Sequence, residues 1–162
     1  MIKNTIIKKN SLCILLISLI FFLDRASKQI MINLANNEPE SNFKLSSFLD
    51  LNLIWNEGIA FGLFSFEKQI YYNSLTIIII LITVILIWLM VKSSGLEKIG
   101  FSMVIGGSIG NFSDRIYYSS VPDFIDFNFK GFHWFVFNVA DIFITLGILI
   151  LIYLEVFKKQ HS

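Results

Sequence analysis

Charge, cysteine and proline are all scarce in this chain. Aspartate, glutamate, lysine and arginine make up 15% of its 162 residues against 55% hydrophobic ones, where a soluble domain carries about a quarter charged residues. Such an apolar surplus needs lipid to cover it. Cys13 is the only cysteine, which excludes an internal disulfide and any multi-cysteine metal site; packing within an apolar segment is its expected role. Two prolines and nine glycines leave no linker, repeat or low-complexity tract. The net charge of +1, with no basic cluster, gives no footprint for nucleic acid. The expectation is one integral membrane domain over residues 1–162.

What is present is long apolar runs. Four segments approach the ~20 residues that cross a bilayer: about 11–31, 72–91, 98–115 and 136–157. The first is broken by Asp24, Arg25 and Lys28, and the third is weakened by glycine and serine. A rival reading takes Lys3, Lys8, Lys9 and the run Leu12 to Leu23 as a cleavable leader, but Asp24-Arg25 stands where small residues belong. Basic residues Lys3, Lys8, Lys9, Lys92, Lys98, Lys158 and Lys159 all fall on one side if both termini are cytoplasmic. The two outer segments, 32–71 and 115–135, hold Glu38, Glu40, Asp50, Glu57, Glu67, Asp123 and Asp126. In the first of them "FLDLNLIWN" alternates with a period of two, as a short strand with one apolar face does; an irregular polar loop is the alternative. "NEGIAFGLF" follows, with Gly58 and Gly62 permitting a tight turn. The fold expected is an all-α membrane protein of four transmembrane helices with a small β-containing extracytoplasmic element.

Depth brings the polar residues together. At 1.5 Å of rise per residue, Asp24 lies roughly 22 Å from the cytoplasmic face, Asn111 about 20 Å, Asp114 about 24 Å and Asp141 about 26 Å. In a core of ~30 Å, three helices thus place polar groups at one level in the outer third. Asp24, Ser27 and Lys28 share a helix face, as do Asn111, Asp114 and Arg115; Asn138 and Asp141 are three apart. Ionisable residues in spans face a bundle interior or watery cavity and mark function by default. The structural alternative is that Asp24 with Lys28, and Asp114 with Arg115, are neutralising pairs, and that Asn111 and Asn138 are interhelical glue. Asp141 has no basic residue within a turn on its own span, so another element must hold it or it must share a proton.

Several chemistries fit. If Asp123 or Asp126 meets Asp141 beneath the outer surface, the two carboxylates share one proton and can work as acid and base, as in aspartic proteases. "GGSIG" around Ser108 matches a serine nucleophile motif, but that motif needs a strand-to-helix elbow, and small residues in a span more often permit close packing; His133 would be its base, His161 lying in the cytoplasmic tail. Asp114, Asp123, Asp126 and Asp141 around Mg²⁺ would suit phosphoryl transfer, with only Arg115 and Lys28 near for phosphates. A carboxylate-lined ion or proton path is the transporter reading.

Five blocks in register then resemble one family, the bacterial lipoprotein signal peptidases (signal peptidase II). They are "DRASK" at Asp24–Lys28, "NEGIAFG" at Asn56–Gly62, "GGSIGNFSDR" at Gly106–Arg115, "VPDF" at Val121–Phe124 and "FNVAD" at Phe137–Asp141. The resemblance implies an intramembrane aspartic endopeptidase of the bacterial cytoplasmic (inner) membrane that cleaves signal peptides from diacylglyceryl-modified prolipoproteins. It implies Asp123 and Asp141 as the catalytic dyad. Asp24, Lys28, Asn56, Gly58, Asn111, Arg115 and Asn138 would line or brace the site, with Asp114 structural. No metal or other cofactor is expected, the chain is expected to be monomeric among membrane lipids, and globomycin-type inhibitors are expected to bind. The sequence departs from the family in three places. Pro122 stands where Val is usual and biases Val121 toward an extended backbone. Asp126 adds an acid three residues after Asp123, and Glu57 replaces a small or hydroxyl residue. Trp55 and Phe61 would belong to a roof over the substrate.

Overall fold

A computed structural model describes residues 2–37, 43–58, 69–129 and 132–158. Four helices, α1 (Ile2–Asn37), α2 (Gln69–Lys92), α3 (Gly95–Tyr118) and α4 (Val139–Lys158), are joined by four strands, β1 (Phe43–Lys44), β2 (Leu49–Asn56), β3 (Val121–Phe129) and β4 (Phe132–Phe137). Phe61, Gly62 and the acidic Glu38, Glu40 and Glu67 lie outside the described residues, as do Lys159 and His161.

Three of the helices are long and apolar enough to cross a membrane, over Asn10–Asn37, Asn73–Lys92 and Val139–Phe157. In hydrocarbon a backbone must satisfy its own polar groups, so the β-branched run of α2, Thr76 to Val91, folds as helix against its intrinsic strand preference. Ile77, Ile78, Leu81, Ile82, Val84, Ile85 and Trp88 of that helix are all exposed, a surface that requires an apolar surrounding. The remaining helix, α3, is equally ample in length but poorer in apolar residues. Its neighbours explain the difference: α1, α2 and α4 all pack on it, so protein rather than lipid covers most of its surface. It begins after extended Ser94 and stops where Ser119 turns left-handed (φ 57°) and returns its N–H to the Arg115 carbonyl, an αL ending.

Glycines set how closely these helices approach. A Cβ on Gly107 would lie 2.5 Å from the Ala140 carbonyl oxygen of α4, and one on Gly110 would lie 2.6 Å from Asp24 Oδ2 of α1. This is the close-packing use of the "GGSIG" stretch. Ser108 sits inside α3, without the strand-to-helix elbow that a serine nucleophile requires.

The strands form one antiparallel sheet in the order β1-β2-β3-β4. β2 falls on the alternating stretch read from the sequence. The β3–β4 hairpin replaces what the sequence suggested only as an outer loop, and it takes Val136 and Phe137 away from the expected fourth span: the helix starts at Val139. Between the pairs Leu51↔Ile125 and Ile54↔Asp123, β2 advances three residues while β3 advances two, a bulge that locally re-aims side chains. Asp123 stands at its edge. The sheet joins the bundle through Trp55 of β2, whose ring lies 5.1 Å from that of Tyr118 at the end of α3.

Burial is inverted relative to a soluble protein. Asp24, Asp114, Asn138, Lys28, Asp123 and Asp126 rank among the most completely buried side chains, while the exterior is lined with Ile, Leu, Val and Phe.

Candidate active site

The polar centre is built from five elements. On α1, Asp24 and Lys28 are one helical turn apart and form an ion pair of 2.9 Å. Lys28 Nζ also donates to Asp114 Oδ2 at 2.7 Å and to Asn111 Oδ1 at 2.8 Å, both on α3. Arg25 completes this cluster, giving its guanidinium to Asp114 and, at 3.0 Å, to Asp24. Two carboxylates and two cations cancel in formal charge, which offsets the desolvation of each. The sequence spacing suggested Asp114 with Arg115; Asp114 instead takes Arg25 and Lys28, and Arg115 donates to the Gly58 carbonyl. Arg25 was the residue that sequence reasoning passed over. Its i+1 position beside Asp24 carries no helical-face signal, and only the approach of α3 gives it a partner.

At the start of α4, Asn138 and Asp141 form a capping box. Asn138 Oδ1 accepts the Asp141 N–H at 3.1 Å, and Asp141 Oδ2 accepts the Asn138 N–H at 3.2 Å. The next free N–H of the turn, on Ala140, donates to Asp24 Oδ1 at 3.0 Å. Two carboxylates therefore sit at the positive end of the α4 dipole. This is what holds Asp141 in place of a neighbouring cation: the cap, the helix terminus, and Asn111, whose Nδ2 donates to Asp141 Oδ1 at 2.8 Å.

Asp123 arrives from β3. Its Oδ1 accepts from Asn138 Nδ2 at 2.6 Å and its Oδ2 from Asn56 Nδ2 at 2.8 Å. Asn56 in turn receives the Gly58 N–H at 2.8 Å, so the end of β2 is folded back onto the site. Asn138 thus touches both acids. Burial pushes the Asp123 carboxyl up to about 7, with the charge of Asp141 as the second cause.

Asp24, Lys28, Asn56, Gly58, Asn111, Asp114, Arg115, Asp123, Asn138 and Asp141 accordingly belong to one continuous hydrogen-bonded network. Asp126 faces another way. It lies three residues from Asp123 along β3 and is paired in register with Asp50, and successive strand residues alternate faces. Among the described residues no group of three or more His, Cys, Asp or Glu side chains is arranged to hold a metal ion.

A helical membrane protein with an acid pair held at a helix terminus beside a small sheet is the class that fold and site define. Comparison makes this specific. The family profile described as Signal peptidase (SPase) II matches residues 16–157. The lipoprotein signal peptidase of Pelagibacter ubique (strain HTCC1062) is 48% identical over 156 residues, 96% of this chain and 94% of that protein. That of Francisella tularensis subsp. mediasiatica (strain FSC147) is 39% identical over 138 residues, 80% of this chain and 84% of that one. A bacterial membrane enzyme solved by the in meso method at 2.3 Å superposes with a TM-score of 0.73 at 26% identity, covering 94% of this chain and 90% of its own. A second such structure, at 1.9 Å, gives 0.69 at 26% identity over 88% and 91%. The chain belongs to the signal peptidase II family, a family of membrane peptidases.

Proposed function

We propose that this protein is an aspartic endopeptidase that removes signal peptides from diacylglyceryl-modified bacterial prolipoproteins, with Asp123 and Asp141 as its dyad. The observation that carries the reading is Asn138. One side chain donates to Asp123, caps the turn bearing Asp141, and so fixes two acids from separate segments in a single frame. Family membership supports the substrate class.

The chemistry follows from the hydrogen bonds. Among the described residues each of the four carboxylate oxygens accepts one donor: Asn138 Nδ2 and Asn56 Nδ2 on Asp123, Asn111 Nδ2 and the Asn138 N–H on Asp141. A carboxylate has about four lone-pair sites, so each acid keeps capacity for water and for a shared proton. Asp123 still holds a proton near neutrality, and Asp141 serves as the base of the pair. Asp141 removes a proton from water as its oxygen bonds to the scissile carbonyl carbon, and Asp123 gives its proton to the carbonyl oxygen. Collapse of the tetrahedral intermediate breaks the C–N bond. Asp141 then protonates the leaving amine, and Asp123 recovers the proton from the intermediate's hydroxyl. No metal or other cofactor enters this sequence.

The same reading makes α3 a fourth span, sheltered by the other three, and puts both termini on the cytoplasmic side of the bacterial inner membrane with the sheet outside. The enzyme acts as a monomer, and globomycin-type inhibitors occupy the site. Asp114 remains structural, consistent with its pairing to Arg25 and Lys28. The test is turnover of a diacylated prolipoprotein by the purified protein. Asp123→Asn and Asp141→Asn each abolish cleavage while the protein stays folded, and chelator has no effect. Retention of activity in either variant overturns the dyad.

A further inference from the structure

Three amides surround the two acids, and in each the orientation is set by a partner that can only donate. Asn56 Oδ1 receives the Gly58 N–H and Asn138 Oδ1 the Asp141 N–H. The third lock is different in kind: Asn111 Oδ1 receives Lys28 Nζ at 2.8 Å. An ammonium has three donors and no acceptor, and Lys28 uses all of them, on Asp24, Asp114 and Asn111. Its side chain is 1% exposed, so water does not compete for these bonds.

We propose that Lys28 is a positioning residue that acts on the dyad through Asn111, forcing that amide to present Nδ2, and never Oδ1, to Asp141. This rests on the reading of Asp123 and Asp141 as the dyad and adds to it a cause outside the pair. With the ammonium present, turning the amide would aim an N–H₂ at Nζ and an oxygen at a carboxylate, two like-polarity contacts in a buried site where they are costly. Without it, the Asn111 amide turns freely, and its oxygen faces Asp141 favourably only when Asp141 carries a proton. Lys28 thereby keeps Asp141 able to accept a proton from water.

Arg25 controls for loss of a cation from the ion cluster. It bonds to the same two carboxylates, Asp24 and Asp114, and its loss changes the local charge by the same unit, but none of the hydrogen bonds of its guanidinium reaches Asn111. Among the described residues the charged groups around the dyad are Asp24, Arg25 and Lys28 from α1, Asp114 and Arg115 from α3, and the two acids themselves. Lys28 also acts on Asp123 directly through its charge, which Arg25 does not, so the comparison that isolates the amide is Lys28→Met against Lys28→Gln, which lose the same charge while only Met loses the donor.

The experiment measures kcat and kcat/KM against pH for the full chain acting on a diacylated prolipoprotein. Lys28→Met is expected to lower kcat at neutral pH roughly 10- to 100-fold, the scale of one buried acceptor losing its donor. It should also move the acidic limb of the profile up by about one unit or more. Arg25→Met should shift that limb distinctly less. Lys28→Gln, whose amide still donates without carrying charge, should recover part of the lost kcat. In an Asn111→Leu background, Lys28→Met should cause no further shift, because the two act in series. Equal shifts and equal kcat losses for Lys28→Met and Lys28→Gln, or additive effects of Lys28→Met and Asn111→Leu, overturn the proposal and leave Lys28 a structural charge. Should Lys28→Met fail to fold, Lys28→Gln against Lys28→Leu, read singly and in the Asn111→Leu background, decides by the same comparison. The Asp123→Asn and Asp141→Asn measurements are independent of this: activity there sinks the dyad, whereas inactivity there with an unmoved Lys28 profile sinks only the relay.

Discussion

Asn138 and Asp141 bind each other twice, through Asn138 Oδ1 to the Asp141 N–H at 3.1 Å and Asp141 Oδ2 to the Asn138 N–H at 3.2 Å. A reciprocal cap of this sort starts an ordinary helix. In this protein the second Asn138 donor reaches Asp123, so one residue both starts a helix and spaces two acids.

Replacing it separates these roles. Asn138→Ala should cost about 1 kcal/mol of stability through the lost cap, a loss seen as a lower unfolding midpoint in detergent. Turnover should fall much further, by roughly 100-fold or more, because a misplacement of about 1 Å costs on that scale. Equal fractional losses in stability and turnover would mean that the cap is its whole function.

The pH dependence of cleavage should have its alkaline limb near neutrality. Asp123, held up at about 7 by burial and then by Asp141, loses the shared proton as pH rises through that value. Above it Asp123 is ionised and the carbonyl has lost its proton donor. A plot of kcat/KM against pH checks this, and the midpoint belongs to the coupled pair rather than to one residue.

Stability should run the same way. The folded-state value of Asp123 is raised from 3.8 to about 7, so the folded protein binds more protons than the unfolded one between these limits. Stability attributable to this group is therefore full below about pH 4, declines as pH rises to 7, and is level beyond. Asp123→Asn removes that decline. The variant should be inactive, with a stability that no longer falls between pH 4 and 8, although its amide N–H₂ then meets the locked N–H₂ of Asn56 or Asn138 and lowers stability at every pH.

Close approach of α3 and α4 should prove as necessary as the acids. Gly107→Ala puts a methyl 2.5 Å from the Ala140 carbonyl, which is backbone and cannot swing aside, and 2.7 Å from Ile144 Cγ1. Overpacking of this sort costs about 1–3 kcal/mol, and it displaces the turn that carries Asp141. Both thermal stability and kcat should drop. Ser108→Ala, one residue along, should leave cleavage intact, and that comparison separates packing from a serine mechanism.

Asp126→Asn should also retain turnover. Asp126 is paired in register with Asp50 and lies three residues along the strand from Asp123, so it cannot replace Asp123 against Asp141. Assay of the two single variants side by side decides which acid from β3 does the chemistry.

Much of this was written legibly in the chain. The rise of a helix and the span of a bilayer were enough to bring Asp24, Asn111, Asp114 and Asp141 to one level, and the alternation of Leu49, Leu51 and Leu53 against Asp50 and Asn52 marked β2. Other features were hidden for physical reasons. Aromatic and polar residues crowd the segment from Val121 to Phe137, and Pro122 near its start argues against an interior strand; it fits because it lies at the end of β3, opposite Trp55. The fourth helix looked three residues longer because Val136 and Phe137 are as apolar as the residues that follow them. Arg25 could not be assigned a partner, since its partner lies 89 positions away on α3. Periodicity reports which face a residue occupies, and only packing reports what that face meets.

The inverted burial of the bundle has one more consequence. The lipid-facing side of α2 is not asked to be specific amino acids: it needs only oily side chains of sufficient length, and Ile, Leu or Val would serve interchangeably at Ile77, Leu81 or Ile85. The oily surface is thus free to wander under mutation while the interior stands still, and the identity of the molecule is concentrated in the few asparagines, charges and interhelical glycines that the bundle encloses.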